Sequence, residues 1–147
     1  MIIRPAIETD CSLLAEIDRQ SNPSPWSAAQ FQTALNNRFD TVLIGEYQQQ
    51  AAGFIVWQTI PDESELHLIA TAPQYRRMGF ASQLLERWLA DSAEHKIARL
   101  FLEVRAGNTP AQELYKKYGF QAYAVRKNYY ALPNHTYEDA VLMEKIC

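Results

Sequence analysis

Cysteine is scarce in this sequence: Cys11 and Cys147 stand near opposite ends of a 147-residue chain. Two thiols so far apart have neither metal-ligand spacing nor a disulfide framework, which points to a reducing compartment, the cytoplasm. Cys11 reads as a buried or incidental thiol rather than a reactive one. The three histidines, His67, His95 and His135, are too scattered for a metal site, so no metal is expected. No apolar run reaches the roughly 20 residues that a bilayer span requires. Met1-Ile2-Ile3-Arg4-Pro5 also lacks the apolar segment and small-residue cleavage site of a secretion signal. There is no basic excess: 14 Lys and Arg against 17 Asp and Glu give a net charge of -3. Basic doublets occur only at Arg76-Arg77, Lys116-Lys117 and Arg126-Lys127, which is poor ground for nucleic-acid binding and weakly favours a cationic substrate. No Gly-Lys-Ser/Thr loop and no Ser-His-Asp elbow is visible, so phosphoryl transfer and serine-hydrolase chemistry drop out.

What is present is one well-patterned chain without linker, repeat or low-complexity run. Its hydrophobic content of 48% and its length suffice to bury roughly 70% of the unfolded surface in one domain, residues 1–147. Met1 to Ile3 read as a short strand stopped by Pro5. Asp10 or Thr9 caps a helix running to about Arg19, with Leu13, Leu14 and Ile17 on one face. A loop of prolines and small polar residues, Ser21 to Trp26, leads to Ser27 and Gln30, a capping-box pair that opens a second helix with Phe31 and Leu35 inward. Two short helices joined in this way are expected to form a flap over one end of a sheet.

Thr41 to Tyr47, Ala52 to Thr59 and Leu66 to Thr71 read as an antiparallel meander. A helix from about Phe80 to His95 carries apolar positions 81, 84, 85, 88 and 89, the i, i+3, i+4 template. Arg99 to Val104 is the next strand, and strand–helix–strand implies a right-handed crossover with this strand parallel to Leu66–Thr71. Thr109 can cap a further helix, with Pro110 in its first turn and Gly119 just past its end. Phe120 to Tyr130 and Val141 to Lys145 close an α+β sheet, with a loop at Pro133-Asn134-His135.

The organising stretch runs from Leu66 to Leu89. A strand, a loop with Arg76, Arg77 and Gly79, and a helix make an anion site, because the first helical turn has unpaired N–H groups and partial positive charge. Glycine lets a ligand approach the backbone and the arginines add charge. Glu103 near the end of the neighbouring strand and Tyr115 on the following helix can act as base and acid. They can equally be a solvated strand residue and a packed aromatic. His67 alternates with Leu66 and Leu68 and is expected to face away from both, as a structural histidine or toward a substrate.

Four segments together resemble the GNAT superfamily of acyl-coenzyme A dependent N-acetyltransferases over nearly the whole chain: Ser24-Pro25-Trp26-Ser27, Tyr75-Arg76-Arg77-Met78-Gly79-Phe80-Ala81, Leu102-Glu103-Val104-Arg105-Ala106-Gly107-Asn108, and Arg126-Lys127-Asn128-Tyr129-Tyr130 with Glu138-Asp139-Ala140. The resemblance is closest to the bacterial branch that acetylates the N-terminal alanine of a small-subunit ribosomal protein. It implies a mixed, mostly antiparallel sheet of six or seven strands whose parallel central pair splays, flanked by about four helices.

It further implies that Arg77, Met78, Gly79, Phe80, Ala81 and Ser82 cradle the pyrophosphate of acetyl-CoA. Ile69, Ala70 and Thr71 present backbone groups to the pantetheine arm, and Asn108 contacts the cofactor. Glu103 takes the position of the general base and Tyr115 that of the acid, while Trp26, Tyr129 and Tyr130 line the peptide groove. The implied partner is a basic protein's N-terminus, and the implied enzyme is a monomer or weak dimer that works alone or with other proteins. Four residues depart from the pattern: Gly107 where serine is common, Ala81 where glycine is, Thr71 in an apolar position, and a loop before Glu138 without its glycine.

Direct attack of an amine on a thioester needs no activated nucleophile. An α-amine, with a pKa near ~7.8, is neutral roughly 400 times more often at pH 7 than a lysine near ~10.4. That favours an N-terminus over the alternatives, a lysine side chain or small-molecule amine, or a non-catalytic acyl-CoA binding module.

Overall fold

Seven strands form one sheet in the order β1-β2-β3-β4-β5-β7-β6, in a computed structural model that describes residues Met1–Cys147. The strands are β1 (Ile2–Pro5), β2 (Asp40–Tyr47), β3 (Gln50–Ile60), β4 (Glu63–Thr71), β5 (Arg99–Arg105), β6 (Gln121–Leu132) and β7 (Thr136–Ile146). The helices are α1 (Cys11–Arg19), α2 (Ala28–Leu35), α3 (Phe80–Glu94) and α4 (Thr109–Lys117). Every neighbouring pair is antiparallel except β4 and β5, the parallel pair expected from the β4–α3–β5 crossover.

Strand alternation sends side chains into two cores on opposite faces of the sheet. On one face α1 and α2 bury Leu14, Ile17 and Phe31 against Ile44, Phe54 and Val56. On the other, α3 and α4 bury Leu84, Leu85, Trp88 and Tyr115 against Ile55, Trp57, Leu100 and Leu102. The helical periodicity read from residues 84, 85 and 88 is thus the packed face of α3, each such side chain contributing about 1.5–3 kcal/mol by burial. Trp88 satisfies its indole N–H by donating to Ser64 Oγ at 2.9 Å.

Three local expectations need correction. The first two helices are not a flap over an end of the sheet: they form a layer on one face, because their apolar sides fill the first core. Asp10 precedes α1 without capping it through its side chain; that carboxylate instead accepts from the Ile7 N–H and from Arg4. Asn108, not Thr109, is the cap of α4, its side chain accepting from the Ala111 N–H at 3.2 Å. The Ser27–Gln30 capping box opens α2 as the sequence indicates, with both reciprocal bonds formed.

Candidate active site

The site begins with a bulge in β4. Trp57 of β3 pairs with Leu66 and Val56 pairs with Leu68, so His67 is an extra residue with no partner across the ladder. Leu66 therefore points into the α3 core while Leu68 points toward the α1–α2 core, and His67 does not simply oppose both, as plain alternation predicted. A bulge bends its strand and increases local twist. Pairing between β4 and β5 ends at the same point, with Leu66 opposite Leu102. Beyond it the strands part, leaving backbone groups of Leu68 to Thr71 without a β5 partner.

A cleft of about 730 Å³ opens in this gap, lined by residues of five segments of the chain. Ile69 comes from β4, Glu103 from β5, Asn108 and Tyr115 from the start and the buried side of α4, Trp26 from the α1–α2 loop, and Tyr129 and Tyr130 from β6. Seven residues separated widely in sequence are thereby brought together. Ala70 is turned into the first core, and Thr71 is half-buried opposite Gly53, so only their backbone can serve the cleft.

Arg77 to Ser82 lie outside the cleft, at the N-terminus of α3. Arg77 (φ 64°) and Gly79 (φ 79°) are both left-handed, which turns the chain sharply into the helix. A Cβ built on Gly79 meets no atom within 4 Å, so glycine stands there for its backbone conformation and for open space above it. The N–H groups of residues 77 to 82 find no acceptor in the protein, and together with the helix dipole they leave this end of α3 open to an anion. Phe80 contributes backbone alone, since its ring is buried against Tyr47 and Tyr75. Arg76 does not add free charge to the cradle: its guanidinium donates to Ser21 Oγ at 3.1 Å and braces the loop against α1.

Inside the cleft the chemistry is carboxylate and phenol. Glu103 Oε1 lies 3.3 Å from Arg126 Nη1. Tyr115 is only 5% exposed; burial pushes its phenol well above the ordinary range, with Tyr130 adding to the shift, and its hydroxyl bonds to no protein atom. Burial likewise pushes Tyr130 up to about 12, with the Glu103 charge second, and the Glu103 carboxylate raises Tyr129. Phenols so placed stay protonated at neutral pH and can donate.

Residues that sequence reasoning passed over complete the walls. Asp18 and Glu65 both line the cleft, and burial raises both carboxyls. Glu65 lies 3.9 Å from His67 Nε2. On the far side, β6 carries three residues, 127 to 129, opposite the single Asp139, and Asp139 Oδ1 accepts from the Asn128 N–H at 2.9 Å. Glu138 Oε2 accepts from Gly107 N–H at 2.8 Å, and a Cβ at 107 would sit 2.5 Å from that oxygen. Glycine at 107 and glutamate at 138 are thus a matched pair, which accounts for the glycine at 107. No local signal marks Asp18 or Glu65; the alternation of Glu65 with buried Ser64 and Leu66 is the only hint that Glu65 shares an open face with Glu103.

The profile of the Acetyltransferase (GNAT) family matches residues 11–120. The chain belongs to the GNAT acetyltransferase family. As a GNAT enzyme it is an acetyl-CoA-dependent N-acetyltransferase, and the cradle and the splayed strand pair fit a long pyrophosphate-bearing thioester. Among curated relatives, ribosomal protein bS18-alanine N-acetyltransferase of Haemophilus ducreyi is 36% identical over 97% of this chain and 97% of its own. The Escherichia coli protein of the same description is 33% identical over 92% of this chain and 90% of its own. A crystal structure of the ribosomal-protein-S18-alanine N-acetyltransferase from Escherichia coli superposes with a TM-score of 0.91 at 30% identity, covering 99% of this chain and 92% of that one.

Proposed function

We propose that this enzyme transfers the acetyl group of acetyl-CoA to the α-amine of a protein N-terminus, an alanine of a small-subunit ribosomal protein, in the cytoplasm. The observation that carries this reading is a cleft between splayed parallel strands that holds a carboxylate and a buried phenol, with the unpaired N–H groups at the start of α3 outside it. Two features support it: relatives of the same length that bear that activity in their names, and a cleft walled by carboxylates, suited to a cationic N-terminus.

In this reading the N–H groups of Arg77, Met78, Gly79, Phe80, Ala81 and Ser82 hold the pyrophosphate. The freed backbone at Ile69, Ala70 and Thr71 aligns the pantetheine arm as an added strand, and the Asn108 amide N–H₂, left free because its oxygen caps α4, donates to the cofactor. Acetyl-CoA supplies the thioester that the amine attacks. Glu103 takes the proton of the incoming ammonium, through water, while Arg126 orients its carboxylate. The C–N bond forms as the C–S bond breaks, the Tyr115 hydroxyl donates to the departing sulfur, and the excess proton left on the nitrogen restores the Tyr115 hydroxyl as the amide forms. Trp26, Tyr129 and Tyr130 form the walls against which the first residues of the peptide lie.

Two peptides test this. One begins with a free alanine and follows a small-subunit ribosomal N-terminus; the other is N-blocked and contains lysine. Acetylation of the first alone is the expected outcome. Acetylation of the lysine peptide alone, or of neither, refutes the reading.

A further inference from the structure

Three cleft-facing carboxylates and one at its rim differ in how their charge is met. Glu103 has Arg126 at 3.3 Å. Glu138 has Arg105 at 3.7 Å and the Gly107 N–H at 2.8 Å. Asp18 accepts the Trp26 N–H at 2.8 Å. Glu65 has His67 Nε2 at 3.9 Å and accepts no hydrogen bond from the protein. Glu65 is partly withdrawn from water, its side chain 35% exposed; burial raises its carboxyl most and the Glu103 charge adds to this, while His67 and Arg126 pull the other way without cancelling it.

Strand geometry puts Glu65 and Glu103 on the same side of the sheet. Ser64 and Leu66 flank Glu65 and are buried toward α3, as Leu102 and Val104 flank Glu103. Both carboxylates therefore face the open cleft just where β4 and β5 part. The same cleft holds the Tyr115 hydroxyl, which is nearly buried and unbonded within the protein. A space lined by a carboxylate and a phenol that each lack a hydrogen bond within the protein is suited to a polar, cationic reactant.

We propose that Glu65 is the specificity-determining residue that receives the substrate's α-ammonium, holding it beside Glu103 before its proton is lost. This rests on the reading of the protein as an N-terminal acetyltransferase and adds the residue that selects a charged, unblocked amine. A partly desolvated carboxylate with no hydrogen bond from the protein gains most from an incoming cation, because the ligand supplies the charge-assisted bonds that the fold does not. Glu65 is a binding group in this scheme; the proton goes to Glu103.

The test uses the full chain with Glu65→Gln, an isosteric change, and Glu65→Asp, which keeps the charge but draws it back. Rates are measured at saturating acetyl-CoA with two peptides that begin with alanine and differ only in the second residue, arginine or alanine. Loss of one charge-assisted bond raises KM about tenfold in Glu65→Gln for both peptides alike. Turnover stays within about twofold, and Glu65→Asp falls between wild type and Glu65→Gln. A KM effect confined to the arginine peptide assigns Glu65 to the second side chain and overturns the proposal. A fall in kcat at unchanged KM, or no change, overturns it as well. Should wild type acetylate neither peptide, the proposed function fails on its own. Calorimetric titration of the alanine-alanine peptide into the CoA-loaded protein still decides the role of Glu65: equal affinity in wild type and Glu65→Gln refutes it.

Discussion

The Asp18 carboxylate accepts the backbone N–H of Trp26 at 2.8 Å, and this bond fixes the mouth of the cleft to the end of α1. Asp18 is 2% exposed, and burial holds its carboxyl above the ordinary 3.8. A folded value above the unfolded one means a stabilising contribution that is complete below the unfolded value and lost as pH rises through the folded one. Asp18→Asn keeps an acceptor for the Trp26 N–H without the buried charge, and is expected to melt no lower than wild type at neutral pH. Asp18→Ala leaves the N–H unpaired at a cost of about 1–2 kcal/mol and raises the peptide KM several-fold. Thermal melts and peptide kinetics on the two variants check both statements.

Tyr115→Phe removes a proton donor and almost no surface. Turnover is expected to fall by about 10² or more, while acetyl-CoA binds as in wild type. Single-turnover rates beside a calorimetric titration of acetyl-CoA separate the two quantities. Equal loss in both would assign Tyr115 to cofactor binding instead.

Gly79→Val places a β-branched side chain at a left-handed φ of 79° and in the open space above the cradle. Backbone strain costs about 1–2 kcal/mol, and the acetyl-CoA dissociation constant rises about tenfold or more as charge-assisted N–H bonds are lost. Unchanged affinity in a folded variant would count directly against the cradle.

Acid stability isolates a different pair. The hydrogen-bonded Arg4 guanidinium holds Asp10 below its ordinary 3.8, against the opposing effect of burial. Its folded value lies below the unfolded one, so its contribution is complete above 3.8 and is lost as pH falls through the folded value. Asp10→Asn should therefore be less stable than wild type at neutral pH and lose less on acidification. Urea unfolding at pH 7 and at about pH 3 measures the difference.

The elements that follow from local patterning were legible in the sequence. The α3 face at Leu84, Leu85 and Trp88, the Ser27–Gln30 box, and the parallel relation of β4 to β5 all depend on spacing within one segment or on the handedness of a crossover. The bulge at His67 was not legible, because it exists only in the register between β3 and β4. Asn108 displaced Thr109 as the cap of α4 because its side-chain oxygen reaches the Ala111 N–H. Arg76 looked like cradle charge but serves as a brace, since the Ser21 hydroxyl that holds it is far away in sequence. Asp18 and Glu65 in the walls of the site, and the pairing of Arg126 with Glu103, were hidden for the same reason: each depends on residues on another strand or helix. Glu103 and Tyr115 were picked out by the resemblance, and the geometry that sets them in one cleft comes from the splay.

Mass spectrometry of total small-subunit ribosomal proteins, from cells with the enzyme and from cells deleted for it, tests the central claim most directly. One protein whose mature chain begins with alanine should carry an N-terminal acetyl group only when the enzyme is present, and Glu103→Gln in the chromosome should abolish it. Identical ribosomal proteins in both strains, with enzyme-dependent acetylation found on lysine side chains or small amines, would contradict it.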